Sequence, residues 1–261
     1  MAGARDESWS FDRATDYYDS TRAIGERAQS EMIAMLAHEL RGRGRCLEVG
    51  VGTGRVALPL HREGIAMAGI DVSRPMVDKL LAKAGGRPFP LALASGVALP
   101  FRRPAFGAAL VCHVLHLVRR WDALLAQLVG VVRPGGVILV NTGTPGTGWW
   151  GELGSRFGDA AGIEERWPGV HELAPVDDAM ARLGATRRPL PAIDDDRRLS
   201  PAEALARLEA GWYAFTWQVD QATRSRAAAA VRGWAEGELS PLDEPRPLAQ
   251  TIRWRAYDLA A

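Results

Sequence analysis

The run from Arg45 to Leu60, RCLEVGVGTGRVALPL, constrains the fold more than any other stretch, because it reads as a buried strand, a glycine turn and the start of a helix. Cys46, Leu47 and Val49 make an apolar strand short enough for the inside of a parallel sheet, and Val56, Ala57, Leu58 and Leu60 restore an apolar face at helical spacing. Between them Gly50, Gly52 and Gly54 alternate with Val51 and Thr53. Glycines there let the backbone turn sharply and let a ligand come closer than a Cβ permits, with free helix N–H groups aimed at it. A nucleotide-like ligand suits such a turn. The dinucleotide fingerprint G-x-G-x-x-G fits imperfectly, since the third glycine comes one residue early and Arg55 holds its place. A phosphate loop of the G-x-x-x-x-G-K-[ST] kind is excluded, because the chain's lysines are Lys79 and Lys83. Glu48, at the carboxyl end of the strand, repels a pyrophosphate and suits a cation.

A chain of 261 residues can bury a full core as one large domain or as one domain with an appended cap. Its formal charge of +1 leaves no electrostatic footprint for extended nucleic acid, so DNA is not an expected partner. Cys46 and Cys112 both lie in apolar runs, as reduced core thiols do. The first residues lack the apolar core of a signal peptide and no stretch is long and apolar enough to span a membrane. The expectation is a cytoplasmic protein, monomer or homodimer, with no membrane partner.

Downstream, units of strand and helix alternate. A helix over Ile24–Leu40 leads into the first strand, following an aromatic cluster of Trp9, Phe11, Tyr17 and Tyr18. After Gly64 comes a second strand, Ile65–Ile70, closed by Asp71, where doubly wound folds hold a ribose diol; Asp71 and Ser73 also read as the cap of a helix over Pro75–Ala84. Further strands are expected at Pro88–Ala94, Ala108–Cys112 and, after an Arg133-Pro134-Gly135-Gly136 turn, Val137–Asn141. Then follow a helix over Val176–Leu183, a strand over Thr186–Ile193, mostly helical residues from Ser200 to Leu239, and a last strand over Gln250–Leu259, antiparallel at or beside the sheet's edge.

The pattern Glu48-x-Gly50-x-Gly52-x-Gly54 resembles the first motif of class I S-adenosylmethionine-dependent methyltransferases of the type 11-like kind, similar to the ubiquinone/menaquinone-type and natural-product enzymes. Matches continue in order from Tyr18-Asp19-Ser20-Thr21-Arg22 through Leu99-Pro100-Phe101 to Arg133-Pro134-Gly135-Gly136 and Asn141. The resemblance implies a doubly wound, Rossmann-like α/β fold with a mostly parallel seven-stranded sheet, an antiparallel last strand and helical lid insertions. Residues 1–44 form the N-terminal helical lid segment, 45–142 the cofactor core, and 143–261 the remaining sheet and substrate lid, all within a single domain. S-adenosylmethionine, which has an ammonium, a sulfonium and no phosphate, is the implied cofactor, with S-adenosylhomocysteine as its product.

Carried over residue by residue, the resemblance places Glu48, Gly50, Val51, Gly52, Thr53 and Gly54 against the cofactor, with Asp71, Val72 and Met76 beyond them. Tyr18 and Arg22 lie across its mouth, Arg22 pairing with the methionine carboxylate. Ser95, Gly96 and Val97 sit at the adenine, where Ser95 replaces the family's usual aspartate. Cys112 and His113 belong to the cofactor wall, His113 reading equally as a satisfied core residue, and His116 is the candidate base. His113-x-x-His116 alone does not make a metal site, and no metal is expected.

Tryptophans concentrate after the core motifs, at 149, 150, 167, 212, 217 and 234. As a group they predict an aromatic substrate lid, represented by Trp149, Trp150, Trp212, Tyr213 and Trp217, over the carboxyl ends of the strands. The expected activity is methylation of a small molecule. Methylation of a protein or RNA residue is the alternative within enzymes, although the base-amine tetrad N/D-P-P-Y/F is replaced by Cys112-His113-Val114-Leu115. A non-catalytic S-adenosylmethionine-binding protein is the alternative outside them.

Overall fold

The computed structural model describes residues 11–143, 146–164 and 167–261, so Trp9 and part of the glycine-rich connection after Asn141 lie outside the described residues. Ahead of the sheet come a short helix α1 (Tyr18–Arg22) and α2 (Glu26–Leu40). In α2 the buried side chains Ala28, Met32, Leu36 and Leu40 recur every four residues, the stripe that docks it on a sheet. The core then alternates as β1 (Cys46–Val49), α3 (Ala57–Arg62), β2 (Met67–Asp71), α4 (Arg74–Ala84), β3 (Leu91–Leu93), β4 (Phe106–Cys112), α5 (Trp121–Val131) and β5 (Val132–Asn141). After it come α6 (Gly148–Ala160), α7 (Leu173–Arg182), β6 (Ala185–Pro189), β7 (Ile193–Asp195), β8 (Arg198–Leu199), α8 (Pro201–Glu209), α9 (Gln221–Glu238), β9 (Arg246–Pro247), β10 (Gln250–Ile252) and β11 (Arg255–Leu259).

One seven-stranded sheet runs in the order β3-β2-β1-β4-β5-β11-β6. β1 pairs in parallel with β2 and with β4, while β11 is antiparallel to both of its neighbours, β5 and β6. The fold is therefore the expected doubly wound, Rossmann-like sheet with one reversed strand. Strand order turns back between β1 and β4, and such a switch point opens a crevice at the carboxyl ends of the strands. All four residues of β1 and all seven of β4 are buried, as strands covered on both faces must be.

Local chemistry sets the boundaries. Ser73 accepts the Met76 N–H at 3.2 Å with Pro75 in the first turn, and Gly85 closes α4 at φ 68°. Ser200 does the same for Glu203, starting α8 with Pro201. The third strand is shorter than Pro88–Ala94 because Pro88 and Pro90 have no N–H to donate to a ladder. Arg133–Gly136 falls inside β5 but bulges from it, since Val132 pairs with Phe106 and Val137 with Ala108. The strand expected over Gln250–Leu259 is two strands: β10 joins β7 in a separate ribbon, and only β11 enters the main sheet. The stretch Thr186–Ile193 divides likewise between β6 and β7.

Hydrophobic packing falls into three bodies. One face of the sheet packs under α2 and α3, with Trp254 fully buried there, and the other under α5 and α7. The third joins α6, α8 and α9 through Leu153, Phe157, Leu205, Leu208 and Val231, forming a helical cap with a core of its own.

Candidate functional site

The crevice after β1 and β4 is built on the glycine loop. Gly50, Gly52 and Gly54 have φ of 72°, 51° and 79°, the left-handed region in which side chains are strained. A Cβ on Gly50 would lie 2.2 Å from Val114 Cγ2, and one on Gly54 2.7 Å from Leu58 Cγ, so packing demands both glycines. A Cβ on Gly52 would meet nothing nearer than Met76 Cε at 3.9 Å, an ordinary contact, and Gly52 lines the cleft. Its N–H donates to Asp71 Oδ2 at 2.8 Å, while the Ser73 N–H donates to Oδ1 at 2.8 Å. Asp71 thus pins the loop to the tip of β2 and keeps spare lone pairs on both oxygens. Burial raises its pKa in spite of these N–H groups.

Over this loop lies a cleft of about 670 Å³, its open mouth included. Tyr18, Gly50, Gly52, Asp71, Val72, Met76, Gly96, Cys112 and His113, all anticipated from the sequence, line it. Val51, Thr53, Gly54, Ser95 and Val97 do not. Val51 packs over Gly69, Gly54 touches Leu58 and Leu80, and Ser95 Oγ accepts the Val97 N–H at 3.2 Å. Ser95 thus shapes the turn that presents Gly96.

Glu48 sits behind the lining, 2% exposed, with Oε2 buried and unpartnered. Desolvation pushes its pKa up to about 8, against the pull of Arg55 and a hydrogen bond with the Ala57 main chain. Arg55 is the residue that motif reading passed over. Its guanidinium reaches Cys112 Sγ at 3.4 Å, and the signal for it was its occupation of the dinucleotide motif's third-glycine place. Burial drives the Cys112 thiol up to about 11, so it is no nucleophile at neutral pH. Arg22 is not in the lining; its Nε is buried without a partner.

A strap of the N-terminal segment crosses the mouth, with Phe11 and Tyr18 facing the cleft. Both lysines of the chain hold it. Lys83 pairs with Asp19, whose Oδ1 also accepts the Thr53 hydroxyl at 2.6 Å, and Lys79 binds the carbonyls of Thr15 and Asp16. Burial opposes the Asp19 charge, but hydrogen bonds from Lys83 and Thr53 outweigh it and hold its pKa below the ordinary value.

His113 follows β4 at φ 57° and lines the cleft. Burial, then Arg55 and Arg22, press its pKa well below the usual imidazole range. His116 lies in a single helical turn, Leu115–Leu117, is 5% exposed and does not line the cleft. Its ring packs edge-on to Trp167 at 4.8 Å, Nδ1 is buried without a partner, and burial lowers its pKa to about 3. Among the described residues no cluster of three or more metal-ligating side chains occurs, and no helix is long and apolar enough to cross a membrane.

The anticipated lid aromatics form a seam and not a wall of this cleft. Phe11 packs on Trp217 at 5.0 Å and Tyr17 stacks on Trp212 at 5.5 Å, joining strap to cap. Trp150, Tyr213, Phe215 and Trp167 then follow in successive ring contacts down to His116. Trp149 donates its Nε1–H to the Pro247 carbonyl at 2.9 Å and braces the cap from outside.

Residues 47–140 match the sequence model of a family described as a methyltransferase domain. A phosphatidylethanolamine N-methyltransferase of Cereibacter sphaeroides is 31% identical over 124 residues, 46% of this chain and 61% of that protein. The ubiquinone/menaquinone biosynthesis C-methyltransferase UbiE of Geobacter sulfurreducens is 30% identical over 110 residues, 39% of this chain and 43% of its own. The similarity thus spans about half of each relative. Among solved structures, the YcgJ protein of Bacillus subtilis superposes with a TM-score of 0.63 at 14% identity, over 91% of this chain and all of that one, a likeness of fold.

Proposed function

We propose that this chain is an S-adenosylmethionine-dependent methyltransferase acting on a small molecule. One observation carries the reading: at the switch point of the sheet, a glycine loop that lines the cleft is tied through the Gly52 N–H to the Asp71 carboxylate, and of the three loop glycines Gly52 is the one beside which a Cβ would fit without a clash. The match over residues 47–140 and the names of the quinone and lipid methyltransferases support it.

The groups around the cleft fit this cofactor chemically. Asp71 has lone pairs left for two ribose hydroxyls. The unpartnered oxygen of Glu48 suits an ammonium, and the unpartnered Nε of Arg22 a carboxylate, the two ends of an amino acid. Val72, Met76 and Gly96 offer an apolar slot for a base, with backbone groups near Gly96 in place of the usual aspartate. When bound, the cofactor supplies a methyl activated by a sulfonium. The chain's own work is to hold the acceptor against that methyl and to exclude water, with Phe11 and Tyr18 closing the mouth. Orientation of this kind is worth about 7–11 kcal/mol. Neither histidine is a strong proton acceptor in these surroundings, so catalysis rests on positioning more than on His116. A small acceptor suits a cleft whose mouth Phe11 and Tyr18 of the strap line.

Isothermal titration with S-adenosylhomocysteine tests the reading. Wild type should bind one equivalent, and Asp71→Ala should bind at least about tenfold more weakly, the loss of one charge-assisted bond. A protein that ignores the compound retires the proposal. Uptake without transfer of labelled methyl to any metabolite in an extract would favour a binding protein instead.

A further inference from the structure

His113 is the residue of the cleft lining whose backbone least suits its side chain. It follows β4 at φ 57°, and among the described residues Ala249 is the only other non-glycine residue at positive φ. Two contacts impose the turn. The His113 N–H donates to the Asn141 carbonyl at 3.0 Å, which ties it to the end of β5, and Val114 packs on bare Gly50, where a Cβ would lie 2.2 Å from Val114 Cγ2. Glycine holds the other positive-φ positions around the cleft, Gly50, Gly52, Gly54 and Gly143; here the chain keeps an imidazole. Such backbone is uncommon outside glycine, and it clusters where a side chain is needed at a site. The ring is seated as firmly as the backbone. It lies against Gly143, where a Cβ would sit 2.8 Å from Nδ1, and edge-on to the His116 ring at 6.4 Å, so Nε2 is the nitrogen farther from the Gly143 main chain. Other polar groups of the lining already have partners: Asp71 takes the Gly52 and Ser73 N–H groups, and Cys112 the Arg55 guanidinium. No hydrogen bond among the described residues reaches the His113 ring, and Phe11, Val114 and Leu117 line the same cleft with apolar surface.

We propose that His113 is a catalytic residue that hydrogen-bonds the methyl acceptor, and that the acceptor is an uncharged hydroxyl, a phenol or an alcohol, on an apolar frame. This rests on the methyltransferase reading above. A neutral imidazole offers one acceptor nitrogen and one N–H donor, so it fixes a hydroxyl whose oxygen keeps a lone pair for the methyl. As that lone pair forms the bond to the methyl carbon, the carbon–sulfur bond breaks with its pair going to sulfur, and the positive charge passes to the acceptor oxygen. The hydroxyl proton, now on a cationic oxygen, moves along its hydrogen bond to the imidazole and on to solvent. A weak base suffices for so acidic a proton, in line with the depressed basicity of this ring. An alkylamine differs, because it is protonated at neutral pH and must lose a proton before it has a lone pair to offer. The His113 ring is too weak a base to take that proton.

The experiment titrates phenol, toluene and benzylamine into protein saturated with S-adenosylhomocysteine, with the ring nitrogens of the five histidines followed by NMR. The His113 signals are identified by their loss in His113→Asn. Phenol should move a His113 ring-nitrogen signal, and toluene, matched in size, should move it far less. Asparagine and glycine both tolerate this φ, so His113→Asn and His113→Gly keep the turn, and either one serves if the other fails to fold. Loss of the ring should weaken phenol about fivefold, the worth of one hydrogen bond, with the affinities for toluene and S-adenosylhomocysteine changed less than about twofold. Four results overturn the proposal: no saturable phenol binding, phenol and toluene weakened alike, S-adenosylhomocysteine weakened with phenol unaffected, or benzylamine moving the His113 signals at lower concentration than phenol. Failure of wild type to take up S-adenosylhomocysteine is a different result, which retires the methyltransferase reading and this proposal with it.

Discussion

Glu48 and Gly52 illustrate two ways in which one residue sets the behaviour of the cleft. Glu48 has an ordinary pKa of 4.5 in the unfolded chain and about 8 in the fold, so between those values the folded state holds a proton that the unfolded state has released. The unfolded state then binds fewer protons, and stability falls as pH rises through that window. Glu48→Gln, which keeps shape without charge, should flatten the decline in melting temperature between pH 6 and pH 8.5; an unchanged slope would mean that the carboxyl is solvated. The same proton must leave before the side chain can meet an ammonium. Affinity for S-adenosylhomocysteine should therefore rise toward pH 8, by up to about tenfold per unit, in wild type and stay level in Glu48→Gln. Gly52 makes a sharper case. Its φ of 51° means that Gly52→Ala strains the backbone by about 1–2 kcal/mol, yet the added Cβ meets Met76 only at an ordinary 3.9 Å and creates no clash in the protein itself. The variant should remain folded by circular dichroism and lose S-adenosylhomocysteine binding by calorimetry, because the new methyl occupies the ligand's approach.

At the scale of elements, the N-terminal strap is anchored by Asp19, so its hold on the cleft can be tested directly. Asp19 joins Thr53 in the glycine loop to Lys83 on α4, and Phe11 and Tyr18 ride on that anchor. Exposed ion pairs contribute little, but this one is half-buried and hydrogen-bonded on both sides, a setting worth roughly 1–2 kcal/mol. Lys83→Ala should expose the segment around residues 11–22 to limited proteolysis and speed dissociation of S-adenosylhomocysteine, while the melting temperature of the body moves little. Digestion at the wild-type rate would show that the Lys79 contacts and the rings suffice to hold the strap. The strap also shows where sequence reading was effective. Tyr18 was legible because a family pattern carries it, and the loop, Asp71 and Ser73 because glycine, carboxylate and cap chemistry are local in sequence. Arg55 was not legible, since its environment is assembled from Glu48, Cys112 and Tyr18, three elements that no local pattern connects. The lid tryptophans were legible as a group but not in place: ring contacts to Tyr17 and Phe11 turn them toward the strap, and composition cannot encode direction.

The whole molecule is closed by its last strand. β11 lies between β5 and β6, pairing residues 255–258 with 140–137 on one side and 255–259 with 189–185 on the other, so the sheet becomes continuous only when the C-terminal residues are in place. Alternation in QTIRWRAYDL identified a strand, but the switch of partners at Arg253 and Trp254 depends on the β7–β10 ribbon, a pairing distant in sequence. Trp254, fully buried, and Asn141, whose side-chain N–H donates to the Arg253 carbonyl at 2.8 Å, fasten that junction beside the end of β5. Pairings this distant in sequence carry a large loop-closure cost before they return any contact, so β11 should be late to form and, once formed, slow to open. Amides of Ala256 and Tyr257 should accordingly exchange with solvent among the slowest in the protein, alongside those of β1 and β4. The cap, with its separate core of α6, α8 and α9, should exchange through smaller openings that leave the sheet intact. Removal of residues 255–261 would leave β5 and β6 with unpaired edges where an interior strand belonged. That truncation should yield aggregated protein at 25 °C, and a soluble, cooperatively melting product would mean that the strand is an addition to a sheet complete without it.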